Sequence, residues 1–405
     1  MDKRAWLIAF LCVEVREAHS FLPNQKQMTS ACHVKTQLEA IALALAEVVK
    51  TQQAEIRSAR IIEAKLSLAA ATSKGDQELA FAAIGSSTAA KIATAQSALD
   101  RATNQIQDGV AAAEQLAGAA DVVADIEKLT IKVMPDTTLA GTAIDTDGKM
   151  HIRFTAVGAA KSTCDDPDNA VPPASAHPSP DTGNNIIEFR HLSSRSTTGS
   201  DEKIAVLCGN SGATNDCAAV ADTAVTNIQL TQGNPFSASQ TKFKTDKATN
   251  TAYKAEKAKP NDNIPSQDFV KIRLAKILEA AKKYKTLTFK AATIESSTTA
   301  TSKETRETLL VATQPGARRS QLAEHQQKLD QLTTKLFGES GSDVKKKIWT
   351  QLDALPIQQE AALDGNLTTL GKLDTLVKIH TATAFYLARR ASEITTAAQA
   401  KKEPE

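Results

Sequence analysis

Histidine and aspartate are the first residue types in this chain that could bind a metal or transfer protons, but their spacing favours neither role. Asp165-Asp166-Pro167-Asp168 is acidic enough for calcium, yet it lacks the glycine and the distal glutamate of an EF-hand loop. The histidines outside the first twenty residues form no HxxxH or HExxH pattern: His33, His151, His177, His191, His325 and His380. A solvated turn and scattered surface histidines explain these residues better than a metal site assembled across loops, so we expect no metal site.

Motifs for phosphate binding and nucleophilic catalysis are also missing from the sequence. Neither GxGxxG nor GxxxxGK[ST] occurs, so no phosphate-binding loop of these two types is encoded. Gly338-Glu339-Ser340-Gly341 is one residue shorter than the GxSxG elbow of hydrolases, and it falls where a helix is expected to end. We therefore expect no catalytic residue, no cofactor and no enzymatic activity.

The first twenty residues have the pattern of a secretory signal peptide. The basic pair Lys3-Arg4 precedes an apolar run over residues 5–13, and the tripeptide AHS at 18–20 offers small residues at the −3 and −1 positions of a cleavage site. A frayed N-terminal helix is the alternative. We expect cleavage before Phe21 and export of the mature chain.

The cysteines fit an exported protein. Five cysteines are present, and removal of residues 1–20 takes Cys12 and leaves Cys32, Cys164, Cys208 and Cys217. An even number in a secreted chain predicts two disulfides, in any of three pairings. The short Gly- and Asn-containing segment from Cys208 to Cys217 favours that pair, which would leave Cys32 for Cys164. Free thiols and a zinc pair are the alternatives, although no CxxC motif occurs.

One modification motif is specific. Asn366-Leu367-Thr368 is the one N-x-[ST] sequon of the sequence, and the turn-forming dipeptide Asp364-Gly365 precedes it. In a secreted chain this motif predicts an N-linked glycan on Asn366.

Long helices are predicted at the N-terminal end of the mature chain. Apolar residues recur at steps of three or four between about residues 30 and 73, and again after Lys74-Gly75-Asp76 up to Pro135, with a further break expected at Gly85-Ser86-Ser87. Two such helices joined by a short polar turn predict an antiparallel helical hairpin over residues 30–134. The first stripe contains Leu38, Ile41, Leu45, Val48, Gln52, Ile56, Ala59, Ile62 and Leu66.

The middle and the end of the chain differ in kind. Residues 135–265 hold most of the Pro, Gly and Asp residues and two strand candidates, at 150–155 and 225–230, which predicts a small loop-rich lobe. Returning helices are expected over residues 266–400, at about 266–287, at about 317–337 and from near Asn366. The Ser/Thr-rich segment 294–303 is expected to be an exposed loop.

Composition limits the class of protein. Lys+Arg 48 against Asp+Glu 46 gives a net charge of +2, and this near-balance argues against a general nucleic-acid binder. No run of 18 apolar residues occurs, so no membrane-spanning helix is predicted. Aromatic residues make up only 4%, which favours helix seams of small residues over a wide core. The predicted fold is mainly α: an elongated, coiled-coil-like antiparallel hairpin or bundle with a small loop-rich lobe that contains short strands.

Three segments, in this order along the chain, resemble the N-terminal domain of the variant surface glycoproteins that coat African trypanosomes. They are SACHVKTQLEAIALALAEVV around Cys32, AVLCGNSGATNDCA around Cys208 and Cys217, and DGNLTTLGKLDTLVKIHTATAFYLARRA after the sequon. The resemblance covers about residues 21–400.

The resemblance implies a non-catalytic coat protein. It implies an elongated homodimer that stands on the plasma membrane, packs beside neighbouring coat molecules, shields the surface beneath and is exchanged for antigenically different variants under attack by host antibodies. An N-glycan on Asn366 would fill space in the lower part of such a coat, and the segment 294–303 is a weaker candidate for O-linked sugar.

The resemblance also implies a lipid anchor that this sequence does not encode. The family adds a Cys-rich C-terminal domain and a hydrophobic tail that is exchanged for a glycosylphosphatidylinositol (GPI) anchor. Residues 401–405 would begin the linker to that domain, and the chain, either a fragment or a truncated product, would by itself be secreted. A receptor or serum-resistance protein on the same scaffold, which binds a host serum protein, and an unrelated secreted helical bundle are the alternatives.

Overall fold

The computed structural model describes residues 19–20, 30–133, 154–158, 161–166, 179–180, 186–194, 207–210, 227–230, 233–245, 253–257, 263–366 and 368–400. Most of the predicted signal peptide, Cys217, much of the predicted loop-rich lobe and residues 401–405 lie outside these ranges.

Helices account for most of the described residues, which confirms the mainly α class. The α-helices are α1 (Ala31–Thr72), α2 (Asp76–Glu127), α3 (Gln267–Tyr284), α4 (Ser297–Ala300), α5 (Lys303–Thr313), α6 (Gln326–Phe337), α7 (Thr350–Ala354) and α8 (Leu376–Ala400). The strands are β1 (His19–Ser20), β2 (Thr130–Val133), β3 (Phe154–Val157), β4 (Ser179–Pro180), β5 (Ile186–Ser194), β6 (Leu207–Asn210), β7 (Asn227–Leu230), β8 (Phe236–Thr245), β9 (Tyr253–Ala255), β10 (Pro356–Ile357) and β11 (Thr368–Thr369).

The chain divides into two compact units. The first comprises Met1–Glu47 and Asn104–Lys285, and the second comprises Val48–Thr103 and Thr286–Glu405. The first unit contains α3 and strands β1–β9, and the second contains α4–α8 with β10 and β11.

The two predicted long helices are present and run antiparallel. Arg60 Nη2 of α1 donates to Gln96 Oε1 of α2 over 3.1 Å, and Gly85 lies beside Leu66. The predicted α1 stripe is buried, except that Ile62 is half-buried. Gly75 forms the turn between the helices at φ +61°, a conformation that glycine adopts without strain.

The predicted break at Gly85-Ser86-Ser87 is wrong, because α2 continues through it. A Cβ at Gly85 would stand 3.6 Å from Leu66 Cβ, an ordinary contact distance, so Gly85 lies on the face of α2 that packs against α1. Ser87 is fully buried and its Oγ lies 2.7 Å from Ser302 Oγ, while the Thr88 hydroxyl donates to the Ile84 carbonyl over 2.9 Å. The hydroxyls of Ser87 and Thr88 therefore have partners in Ser302 and in α2 itself.

The second helix ends at Glu127, earlier than the predicted end at Pro135. The β-branched residues after it form β2, which pairs antiparallel with β3 from Thr130↔Val157 to Val133↔Phe154. The predicted strand at 150–155 thus appears as β3, with residues 150–153 outside the described ranges, and the candidate at 225–230 appears as β7, which pairs with β6.

A three-stranded antiparallel sheet in the order β5-β8-β9 is the largest sheet of the first unit. Its longest pairing runs from Ile186↔Lys244 to Ser194↔Phe236. After it α3 begins as predicted, because Ser266 Oγ accepts a hydrogen bond from the Phe269 amide over 3.2 Å. Val270, Leu274 and Ile277 are buried on one side of α3, whereas Ile272 is 58% exposed.

Three predictions for the second unit need correction. Residues 294–303 are not an exposed loop, because Ile294, Thr299 and Ala300 are fully buried and α4 lies among them. The last helix, α8, begins at Leu376 and not near Asn366, because β11 and a 3₁₀ turn at Leu370–Lys372 come first. The helix expected over 317–337 is divided into a 3₁₀ segment, Arg319–His325, and the helix α6. Gly338, at φ +82°, terminates α6.

Candidate functional site

A disulfide joins the first turn of α1 to the segment 161–166. Cys32 and Cys164 are bonded, with their Cα atoms 5.1 Å apart and a separation of 132 positions in sequence. The bond lies in a small apolar cluster whose members come from both long helices and the strands: Ala31, Cys32, Val123, Ala124 and Leu192, with Ile126, Cys164 and Phe236 at its edge. The structure therefore contains one of the pairs that the sequence left open.

Two aspartates of α2 hold the same segment by hydrogen bonds. Asp125 Oδ1 accepts from the Thr163 amide over 2.7 Å, and Asp121 Oδ1 accepts from the Ser162 hydroxyl over 3.0 Å. The two carboxylates lie four residues apart and so share one face of the helix. Segment 161–166 is thus held to α2 through the two residues that precede Cys164.

Lys35 connects α1 to these groups. Its Nζ lies 3.1 Å from Asp121 Oδ2 and 3.6 Å from Asp165 Oδ1, and its side chain is 16% exposed. Burial alone would lower the pKa of Lys35, but the hydrogen bond and charge of Asp121, aided by Glu39 and Asp165, raise it above its ordinary value. Lys35 therefore stays charged and stabilises the disulfide-linked region.

The second cysteine pair remains a prediction. Cys208 lies in β6 opposite Gln229 of β7, and Cys217 lies outside the described residues.

The sequon lies in an exposed turn that is followed by a short pair of strands. Asn366 is exposed. Its backbone N–H donates to Asp364 Oδ1 over 3.2 Å, and Gly365 adopts φ +67°. Directly afterwards Thr368 pairs with Ile357 across β10 and β11, while Lys65 Nζ donates to the Gly371 carbonyl over 3.0 Å. The turn presents the Asn366 side chain to solvent.

Sequence reasoning missed the half-buried Lys91, and its expectation that His191 lies at the surface is wrong. Lys91 Nζ donates to Thr299 Oγ1 over 2.6 Å. Burial lowers the pKa of Lys91 below its ordinary value, and the charge of Glu304 offsets this shift only in part. His191 is fully buried in β5. The burial of Lys91 could have been predicted from its position three residues after Thr88, on the buried face of α2.

The described residues form neither a metal-binding cluster nor a membrane-spanning helix. Among residues whose placement is described, no group of three or more His, Cys, Asp or Glu side chains could hold a metal ion. Within the same ranges no helix is both long enough and apolar enough to cross a membrane.

Comparison with known proteins gives a family and a fold. The model of the trypanosome variant surface glycoprotein family (A-type) matches residues 24–387. The solved structure of Variant Surface Glycoprotein VSG13 is 17% identical, with 90% of this chain and 99% of that chain covered and a TM-score of 0.51. VSGsur bound to suramin is 13% identical, with 90% and 98% covered and a TM-score of 0.56. No curated protein sequence matches the chain.

The structural likeness at these identities shows the fold, and the family match shows the relationship. The family match confirms the resemblance seen in the sequence. It also confirms the interpretation of the chain as a surface coat glycoprotein that takes part in antigenic variation. The chain belongs to the A-type family of trypanosome variant surface glycoproteins.

Proposed function

We propose that this coat glycoprotein acts without catalysis, as a homodimer that packs beside neighbouring coat molecules and shields the proteins beneath it from host antibodies. The family match over residues 24–387 is the observation that carries the proposal. The antiparallel long helices support it, because a rigid scaffold allows surface loops to vary in sequence at little cost to stability. In this proposal residues 21–400 form the mature domain after removal of the signal peptide.

The shielding role is tested on cells that express this protein as their coat. A short epitope is placed close to the membrane on an invariant surface protein, and binding of a whole antibody to it is measured by flow cytometry. We expect weak binding of the whole antibody and stronger binding of a small single-domain fragment against the same epitope. Equal binding of the whole antibody to coated and uncoated cells would contradict shielding. Native mass spectrometry of the purified protein tests the dimer independently.

Attachment through a GPI lipid is the second part of the proposal, and the family relationship supports it. Treatment of intact cells with phosphatidylinositol-specific phospholipase C should release the protein into the medium. A known GPI protein, released by the same treatment, serves as the control. Retention of this protein on the cell under these conditions would contradict GPI attachment.

An N-glycan on Asn366 is the third part, and the exposed turn supports it. Thr368→Ala removes the hydroxyl that the sequon requires, whereas Thr369→Ala changes its neighbour in the same short strand. We expect a mass decrease equal to one glycan for Thr368→Ala and an unchanged glycan for Thr369→Ala. Identical masses of both variants, after correction for the substitution, would show that Asn366 is not glycosylated.

The receptor alternative has no specific observation in its favour. In the described part of the chain the exposed large apolar side chains are all aliphatic, such as Leu43, Val122 and Ile394. Aromatic residues and arginine dominate the binding energy of protein-binding surfaces. The coat role is therefore the function that the observations support best.

A further inference from the structure

His191 is a fully buried base with one nitrogen left unpaired. Its Nδ1 lies 2.6 Å from the carbonyl oxygen of Pro265. Because a carbonyl only accepts hydrogen bonds, Nδ1 carries the proton and donates it. Nε2 is therefore the deprotonated nitrogen of the neutral ring, and it has no hydrogen-bond partner among the described residues.

The surroundings of His191 are apolar or neutral. The rings of Phe189 and Phe243 lie on the same face of the β5-β8-β9 sheet, with centroids 5.3 Å and 6.0 Å from that of His191. Ser239 is its direct partner on β8, and its hydroxyl donates to the His191 carbonyl over 3.5 Å. Among the described residues around the ring, no group would compensate an added positive charge.

Charged groups near the sheet point elsewhere. Residues alternate between the two faces of a strand, so Glu188, Arg190, Lys242 and Lys244 lie on the face opposite His191, where Arg190 pairs with Glu127 of α2 and Lys242 with Glu188. Lys244 pairs with Glu256 on that face as well.

On the His191 face, the titratable neighbour among the described residues is Tyr253 of β9, a neutral group that is 3% exposed. Asp268 and Lys271, in the first turns of α3, pair with each other. None of these groups offers His191 a carboxylate.

This environment fixes the sign of the pH response. Burial lowers the pKa of His191 below its ordinary value, and the hydrogen bond to Pro265 opposes this shift only in part. The unfolded chain, with a histidine pKa of about 6.5, therefore binds a proton at a higher pH than the folded chain does. The stability of the neutral state is fully present above about pH 6.5 and is lost as the pH falls toward the lower folded value.

We propose that His191 is an acid-responsive element: proton uptake at Nε2 opens the contacts that hold β5 against β8 and against residues 263–267. Ile264 and Leu192 exchange two backbone hydrogen bonds, of 2.8 Å and 2.9 Å, beside the histidine, and these are the first contacts expected to open. The sheet is closed at neutral pH and opens locally in acid.

Hydrogen exchange read by mass spectrometry tests this on the whole protein, at about pH 7.5 and about pH 5.5 with intrinsic rates corrected. Below about pH 6.5 the opening constant of peptides 186–194 and 263–270 should rise by up to about tenfold per pH unit, the limit for one proton. Peptides from Ile56 to Ala69 of α1, in the other unit, serve as the internal reference.

His191→Asn keeps an N–H donor for Pro265 and removes the titrating nitrogen, so its opening should not depend on pH in this range. His380→Asn, at an exposed position of α8, should respond to acid as the wild type does. The same acid response in His191→Asn as in the wild type would overturn the proposal. If His191→Asn does not fold, the wild type decides the matter: opening of peptides 186–194 that does not change with pH refutes it.

Discussion

Gly109 offers the sharpest test of how the helices of the first unit pack. A Cβ built at this position of α2 would lie 2.2 Å from Ala280 Cβ of α3 and 3.4 Å from Leu45 Cδ1. Carbon atoms pack at about 3.5–4.0 Å, and Ala280 Cβ is fixed to the backbone, so α3 would have to move away. Gly109→Ala should therefore lose about 3 kcal/mol to overpacking, against a gain of about 1 kcal/mol in helix propensity.

The expected net loss is about 2 kcal/mol of the free energy of unfolding, measured by urea denaturation followed by circular dichroism. Gly118→Ala is the matched control in the same helix, because nothing lies within 4 Å of its Cβ, and it should gain about 1 kcal/mol. Adding Ala280→Gly to Gly109→Ala returns the space and should restore most of the loss. A Gly109→Ala variant as stable as Gly118→Ala, or a double variant with no recovery, would refute this packing.

Three further predictions concern stability and are measured by the same urea denaturation. Cys32→Ala opens a loop of 132 residues and should cost at most about 5 kcal/mol; an unchanged midpoint would mean that the bond does not form. Lys35→Met should cost about 1–2 kcal/mol because it leaves its carboxylate partners without their cation, and the difference from wild type should shrink as the pH rises through the raised pKa of Lys35. Ser302→Ala removes both the cap of α5 and the partner of buried Ser87, so it should cost about 2 kcal/mol. The exposed cap Ser266→Ala of α3 should cost about 1 kcal/mol; equal losses would contradict the role of Ser87.

The parts of the fold that depend on local periodicity could be predicted from the sequence. The stripe from Leu38 to Leu66 and the cap at Ser266 are properties of neighbouring residues, and both are present in the structure. Gly85 shows the limit of this reasoning. Glycine and serine end helices in many contexts, and only their neighbours in space, Leu66 beside Gly85 and Ser302 beside Ser87, show that here they lie inside a continuing helix.

The expectation that segment 294–303 is exposed failed for a similar reason at Thr299. Thr299 accepts a hydrogen bond from Lys91, and its carbonyl accepts one from the Thr305 hydroxyl over 2.7 Å. A polar residue that is buried against a partner from a distant part of the chain, as Thr299 is by Lys91, is indistinguishable in sequence from a solvated one. Exposure was therefore the wrong expectation for this segment.

The candidate site was predictable in its residue types but not in its geometry. Counting cysteines after removal of the signal peptide left three pairings, the spacing of Cys208 and Cys217 favoured one of them, and the structure contains its Cys32–Cys164 bond. Lys35 and Asp121 are 86 positions apart in the printed sequence, so their ion pair gives no local signal. The sequon at Asn366 was found because its motif is short and contiguous.

Peptide mass spectrometry of the protein taken from the cell surface, without reduction and with and without N-glycosidase, tests the central claim most directly. An exported coat glycoprotein with this fold should yield a mature N-terminus at Phe21, a linked peptide of Cys32 with Cys164, and a glycan on Asn366. Free thiols at both cysteines together with an unmodified Asn366 would contradict export and the disulfide-linked fold alike.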